Sequence, residues 1–383
     1  MNLLMNSLTT QNQKYWEINS EDKVNFQILF THSILSQFKI LDNLSETQRI
    51  FLLVDENIWE IYKNQFEILI QNSCKKLYIK TIKPDEKNKN IESTIEIIQF
   101  LDDKSLKRKS EPIIAIGGGV ILDIASFAAS IYRRGVPIIK IPTNLLAIVD
   151  ACVGVKTGVN FGIKRNRIGT YYPPQKVLID KSFLKTCPQR HITNGLGEIF
   201  KIALIKSSSL FSQLEAYAET VGIEEKLCIG ALASKIINDS ITLMLEELQP
   251  NLWEKNLQRC VDFGHSFSPY IELKNINELL HGEAVTLDCL FSTCLALNLN
   301  FISKDKLLRI YRLAKSLGLP LFHKDFTNKK LIETSLKETK AHRNGNLNLP
   351  IPSDIGKYIF INELSDEIID KTINFYQKVK DEL

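Results

Sequence analysis

Residues 113–123 read IIAIGGGVILD, an apolar run that meets three glycines, resumes apolar and closes on Asp123. The first part has the bulk of a strand buried on both faces. The stretch 122–132 is made largely of small apolar residues and reads as a helix. At such a strand-to-helix turn glycines let the backbone approach a pyrophosphate, while the helix N-terminus offers amide donors and a favourable dipole. The pattern is not GxGxxG, so the usual dinucleotide fingerprint is absent. Taken alone, Gly117, Gly118 and Gly119 are equally well read as a tight turn.

Outward from this turn the chain alternates. Residues 50–54 form a short apolar strand closed by Asp55, 58–71 a helix, 76–79 a strand, 92–101 a helix, 112–116 a strand, and 138–141 another strand stopped by Pro142. Alternating β and α elements imply a doubly wound parallel sheet. From residue 182 onward the apolar spacing is 3.6-periodic, over 192–205, 210–217, 223–248, 282–297 and 304–316. The reading is an N-terminal α/β Rossmann-like domain with a parallel sheet over 1–172, and an all-α domain over 173–383. The joint falls at 171–174, YYPP, where two prolines break any helix. The residues up to about Ser20 are polar and read as an arm.

The 383 residues suit two domains. Hydrophobic content of 44% and charged content of 24% are those of a globular protein with a sizeable core. A net charge of +4, spread over many residues of both signs, is too diffuse to argue for nucleic acid. Seven cysteines, widely spaced and without a CxxC pair, read as reduced structural thiols. The N-terminus has no basic region ahead of a long apolar run, which argues against a signal peptide. The apolar stretch 290–302 is too short to span a bilayer. The expectation is a soluble, cytoplasmic protein with neither a nucleic-acid nor a membrane partner.

Two constellations could carry chemistry. Residues 133–166 place six basic side chains, Asp150 and glycine-flanked turns in one segment, which suits a phosphate-bearing substrate beside a dinucleotide. Lys156, in VGVKTGVN, is poorly explained by packing. The second is Glu198, His265 and His281, separated by 67 and 16 residues. One carboxylate and two imidazoles with an open position make a catalytic zinc arrangement, although these spacings match no short zinc motif. Either histidine alone reads more simply as a core or capping residue. Lys201 lies one helical turn after Glu198, and the pair by itself reads as a surface i,i+3 salt bridge. The charged residues 83–89 by themselves read as a solvated face.

Taken together, GGGVILD (117–123), YRRGVP (132–137), VDACVGVKTGVN (149–160), NGLGEIFK (194–201), FGHSF (263–267) and HGEAV (281–285) resemble the sugar phosphate cyclases, the superfamily of 3-dehydroquinate synthase. The resemblance runs from about residue 54 to 356. It implies an N-terminal NAD-binding α/β domain, a helical C-terminal domain and an active site in the cleft between them. It also implies a homodimer, a small sugar phosphate as substrate, and NAD with zinc, or cobalt, as cofactors. Glu198, His265 and His281 match the metal ligands. Gly117, Gly118, Gly119 and Asp123 match the NAD-binding turn, with Thr143 and Asp55 on the cofactor side. Glu86 and Lys89, in DEKNK, match an adenosine-side contact, which replaces the solvated-face reading. Arg134, Asp150, Lys156, Asn166, Lys201 and Arg259 match substrate-binding and catalytic positions.

Departures from dehydroquinate synthase narrow the reading. Asp262 and Pro269 stand where that enzyme has an asparagine and a second histidine. No lysine lies between Lys235 and Lys255, and KAHRNG (340–345), with His342, replaces its DKK motif. Asn144, Ser126 and Gly197 stand where threonine, glycine and alanine are expected. Losing cationic groups suits a substrate without a carboxylate, because an unpaired buried lysine is costly. Asp262, Pro269, His342 and the 247–254 segment ELQPNLWE resemble the branch that cyclises sedoheptulose 7-phosphate to a valiolone, with Asp262 and His342 meeting the end of the sugar that bears the carboxylate in dehydroquinate synthase. The implied reaction is redox-neutral: transient oxidation, β-elimination of phosphate, re-reduction and intramolecular aldol closure. Dehydroquinate synthase itself, a desmethyl-4-deoxygadusol synthase, a glycerol-dehydrogenase-type zinc oxidoreductase and a non-catalytic relative stay open at this point.

Overall fold

The computed structural model describes residues 23–162, 164–220 and 230–379. The expected arm up to Ser20 and the opening of the helix expected from residue 223 lie outside them. The first half contains strands β1 (Gln27–Thr31), β2 (Arg49–Asp55), β3 (Lys76–Ile82), β4 (Ile113–Gly117) and β5 (Ile138–Pro142), the hairpin β6 (Lys156–Phe161) and β7 (Lys164–Tyr171), and β8 (Lys176–Asp180). Six of these form one sheet in the order β1-β8-β5-β4-β2-β3, and every pairing in it is parallel.

The continuous apolar runs are explained by burial on both faces. Phe51 and Leu53 of β2 point into one core with Ile121 and Leu122, whereas Leu52 and Val54 point into another with Phe66 and Leu69. Helices α1 (Phe38–Asp42), α2 (Glu56–Ile61) and α3 (Lys63–Asn72) supply the latter core, and α4 (Ile91–Asp103) and α5 (Gly119–Ile131) the former. Leaving β2, the chain runs to the edge strand β3 and then returns to β4 on the other side of β2. That reversal is a topological switch point, and ligands bind at the carboxyl ends of the strands there. Asp55 ends β2, Gly117 ends β4 and Pro142 ends β5, with Gly117 opposite Pro142 in the register.

The sheet extends past the expected boundary at residue 172. The prolines at 173 and 174 break only a short connection, after which β8 returns to pair with β1 and β5. The α/β layer therefore reaches Asp180. Lys156, expected between turns, is the first residue of β6, because Gly158 and Gly169 let the two hairpin strands approach closely. A Cβ at Gly158 would stand 2.8 Å from the Ile168 carbonyl oxygen.

The second half is helical: α6 (Gln189–Lys206), α7 (Ser208–Thr220), α8 (Ala231–Leu248), α9 (Ser268–Lys274), α10 (His281–Asn298), α11 (Lys304–Ser316), α12 (Lys329–His342) and α13 (Asp366–Val379). One antiparallel hairpin, β9 (Leu349–Asp354) with β10 (Lys357–Ile361), interrupts it. α6 and α10 lie against each other and are buried almost throughout. Gly197 and Gly282 permit that approach: a Cβ at Gly197 would collide with the Gly282 carbonyl oxygen, and one at Gly282 with the Asn194 carbonyl. The glycine at 197, where alanine is expected, thus lets the two helices that carry Glu198 and His281 meet.

Candidate active site

Glu198, in the middle of α6, and His281, at the start of α10, face each other across this seam. Their Oε1 and Nε2 atoms are 3.3 Å apart. His265 completes the group, its Nε2 lying 3.7 Å from Glu198 Oε1 and 3.4 Å from His281 Nε2. One donor atom from each residue falls within 4.8 Å of the others. His265 is aimed by its turn. Gly264 adopts φ 76°, and Asp288 Oδ2 accepts the backbone N–H groups of Ser266, Phe267 and Ser268 at 2.6–3.0 Å, which ties the turn to α10. Both Glu198 oxygens are buried without a hydrogen bond, although Lys201 Nζ lies 2.5 Å from Oε2 as an ion pair. A carboxylate left in this state beside two imidazole nitrogens fits a divalent cation with an open position.

The ion pair between Lys201 and Glu198 exists, but not at the surface, because α6 is buried on nearly every side: the side chains are 2% and 1% exposed. Burial alone would raise the Glu198 carboxyl, yet Lys201 and the two imidazoles hold it well below the usual range. Burial works against the Lys201 ammonium too, and Glu198 and Asp150 nonetheless raise it. Asp150 sits in a π-helical turn, Ala147–Ala151, a feature common at functional sites. Burial and the charge of Glu198 both push its carboxyl up.

Behind the three side chains Glu198, His265 and His281 is a relay of charges. Glu272 Oε2, on α9, lies 3.1 Å from His281 Nδ1. Its other oxygen accepts from Arg165 of β7, and Arg165 donates in turn to Glu86, 2.9 Å away. Burial would raise Glu272, but His281 and Arg165 bring it down to about 2. His281 rises to about 10 against its burial, through Glu272 and Glu198. His265 falls to about 3, through burial and the nearby Lys201. A carboxylate on the far nitrogen of a ligating histidine fixes its tautomer and orientation. Glu272→Ala should therefore weaken zinc binding by roughly 10–100-fold, measured by chelator competition; unchanged affinity would remove Glu272 from this role.

The dinucleotide side lies at the switch point. Gly118 precedes α5 without any side-chain cap, leaving the first amides of that helix available. A Cβ at Gly118 would meet Asn144 Nδ2, whose side chain caps Ala147 through Oδ1 at 2.9 Å. Asp55 is buried and accepts from Asn57 and Ile58 at the start of α2, and Thr143, directly after β5, is buried and donates its N–H to the Gly117 carbonyl at 3.1 Å. Open amides on a glycine turn at a helix N-terminus fit a dinucleotide phosphate. Lys89 Nζ lies 2.6 Å from Asp123 and donates to Asn166 Oδ1 at 2.6 Å, so the structure joins two residues expected at the cofactor with one expected at the substrate.

A third group surrounds Lys156. Its Nζ is 2.9 Å from Glu254, which also pairs with Arg259. Arg259 Nη2 is 2.5 Å from Asp262, and Asp262 lies 3.4 Å from Arg343. Two expected residues stand apart from these contacts. Arg134 is exposed at φ 63°, its carbonyl accepting from Arg108, and His342 is exposed at the end of α12. Arg343, one residue further on, is the buried member of KAHRNG. Sequence reasoning missed Arg343, Glu254, Glu272, Arg165 and Asp288. Glu254 and Arg343 lay inside the quoted segments ELQPNLWE and KAHRNG without being singled out, and Asp288 left a signal as the single charge among residues 284–298 of an apolar helix.

Known proteins resemble this chain along most of its length. Residues 79–194 match the family described as 3-dehydroquinate synthase N-terminal, and residues 195–341 match 3-dehydroquinate synthase C-terminal. The chain is 40% identical over 362 residues to a 2-epi-5-epi-valiolone synthase of Actinomyces sp, covering 91% of this chain and 94% of that one. It is 40% identical to the synthase of that name from Streptomyces albus, covering 87% of this chain and 82% of the other. The solved 2-epi-5-epi-valiolone synthase of Streptomyces hygroscopicus subsp. jinggangensis, with NAD+ and Zn2+ bound, superposes with a TM-score of 0.90 at 35% identity, covering 95% of this chain and 100% of that one.

Proposed function

This chain belongs to the 3-dehydroquinate synthase family, and from that membership we propose that it is a sugar phosphate cyclase converting sedoheptulose 7-phosphate to 2-epi-5-epi-valiolone with release of phosphate. The observation that carries the reading is the convergence of Glu198, His265 and His281 beside the buried Lys201. Support comes also from the likeness to synthases of that name along most of the chain.

The three ligands hold a divalent ion, zinc or cobalt, and the turn Gly117–Gly119 with Asp55 and Thr143 holds NAD. Bound there, the two supply a Lewis acid and a reversible hydride acceptor. The chain's own side chains bind and orient the sugar. Lys156 and Asn166 hold the phosphate, and the phosphate is itself the base for its elimination. Asp150 and Lys201 orient ring hydroxyls next to the metal ligands. Arg259, Asp262 and His342 meet the far end of the sugar. Holding both reacting ends in one cleft turns ring closure into an oriented intramolecular step. The α/β layer is the nucleotide-binding half and the helical layer the metal- and substrate-binding half. The chain works as a homodimer in the cytoplasm; no described helix is long and apolar enough to cross a membrane.

The test is a substrate and product assay. Purified protein with zinc and NAD+ is offered sedoheptulose 7-phosphate, and the ring product is identified by mass and by comparison with authentic valiolone. A product with the mass of desmethyl-4-deoxygadusol would assign the other ring, and net production of NADH would assign a dehydrogenase.

A further inference from the structure

Glu254 is in the loop after α8, three contacts deep in the group around Lys156. Its side chain is 9% exposed, and its backbone adopts φ 51°, a conformation that costs a residue bearing a side chain. Oε1 takes both Lys156 Nζ, at 2.9 Å, and Arg259 Nη1, while Oε2 accepts from Tyr171 Oη at 3.2 Å. The second terminal nitrogen of Arg259 is held by Asp262, which also faces Arg343. Lys156, Arg259 and Arg343 thus share two fixed carboxylates, leaving one positive charge in excess. The group adjoins the metal centre, since the His265 N–H donates to the Asp262 carbonyl at 3.0 Å. Lys156 is still 63% exposed.

We infer that Glu254 is a specificity-determining residue: its carboxylate occupies the fork of Arg259 that an anionic end of a substrate would otherwise take. The inference rests on the cyclase reading and deepens it by naming the substrate class, namely sugar phosphates whose end remote from the phosphate is uncharged. A carboxylate brought to Arg259 meets Glu254 and Asp262 at contact distance, and like charges set together in an interface are strongly disfavoured. A neutral hydroxymethyl end meets no such opposition and accepts or donates hydrogen bonds to the same groups. Glu254 acts through Arg259 and Lys156, so it is a positioning residue for those cations.

A mere brace, tying the loop to the β6–β7 hairpin, would affect all ligands alike, and that difference is measurable. Zinc- and NAD-loaded wild type, Glu254→Gln, Arg259→Gln and the double variant would be titrated calorimetrically with phosphonate analogues, which cannot eliminate phosphate, of sedoheptulose 7-phosphate and of a heptulosonate 7-phosphate bearing a carboxylate at its first carbon. Zinc content and thermal melting check that each variant is folded. Wild type is expected to prefer the uncharged end by at least about tenfold, and Glu254→Gln to narrow that preference by about tenfold. The narrowing should vanish in the double variant. A preference in Glu254→Gln that stays within about twofold of wild type, or a narrowing that survives loss of Arg259, overturns the inference while leaving the cyclase reading intact. Wild type that binds neither analogue removes both.

Discussion

His281→Ala protein is expected to purify without its divalent ion and to turn over sedoheptulose 7-phosphate roughly 10³-fold more slowly, the equivalent of several kcal/mol of lost Lewis-acid stabilisation. The size of the effect follows from the geometry. Three donor atoms within 4.8 Å define the site, and removing one leaves a carboxylate and an imidazole, too few for tight binding at a site that also needs an open position. The substitution also strips Glu272 of its partner at 3.1 Å and leaves that buried acid facing Arg165 alone. Metal analysis and initial rates on the same preparation check the claim. Full zinc content in this variant would mean that the three residues do not share an ion.

Lys156→Ala should slow phosphate release by roughly 10²–10³-fold, the loss seen when one preorganised donor is removed from a site of developing charge. The expected pattern is selective. Lys156 is largely exposed on β6 and belongs neither to the glycine turn nor to the three residues around the metal position, so NAD affinity and zinc content should stay at their wild-type values. Among the described residues its ion-pair partner is Glu254, a contact that phosphate would compete with. Phosphate release near the wild-type rate would take Lys156 out of the reacting site.

How much of this could be read from the chain depended on burial. Strands β2, β4 and β5 were legible because both faces are covered, which makes each a continuous apolar run. β1 escaped notice because it is an edge strand with half-exposed side chains, and β7 because KRNRIGTY is polar and mostly exposed. β8 was hidden by the prolines before it, which read as a joint between domains. The metal ligands were individually unconvincing, and only the order of motifs along the chain made them a set. The Glu198 and Lys201 pair has the spacing of an ordinary surface bridge, and nothing in that spacing reveals that α6 is enclosed. The charges behind the site were beyond reach, because Glu272 sits in the short helix SPYIELK and its partner Arg165 is 107 residues away in sequence. Contacts over that separation are set by packing of the hairpin against the helical half.

On the cyclase reading, oxidation in this cleft is temporary. The most direct measurement supplies protein, zinc, excess sedoheptulose 7-phosphate and NAD+ at one equivalent per chain, then counts inorganic phosphate against reduced nicotinamide. Many phosphates should be released per NAD+, with no NADH accumulating. One NADH formed for each sugar consumed, or no phosphate at all, would contradict that reading.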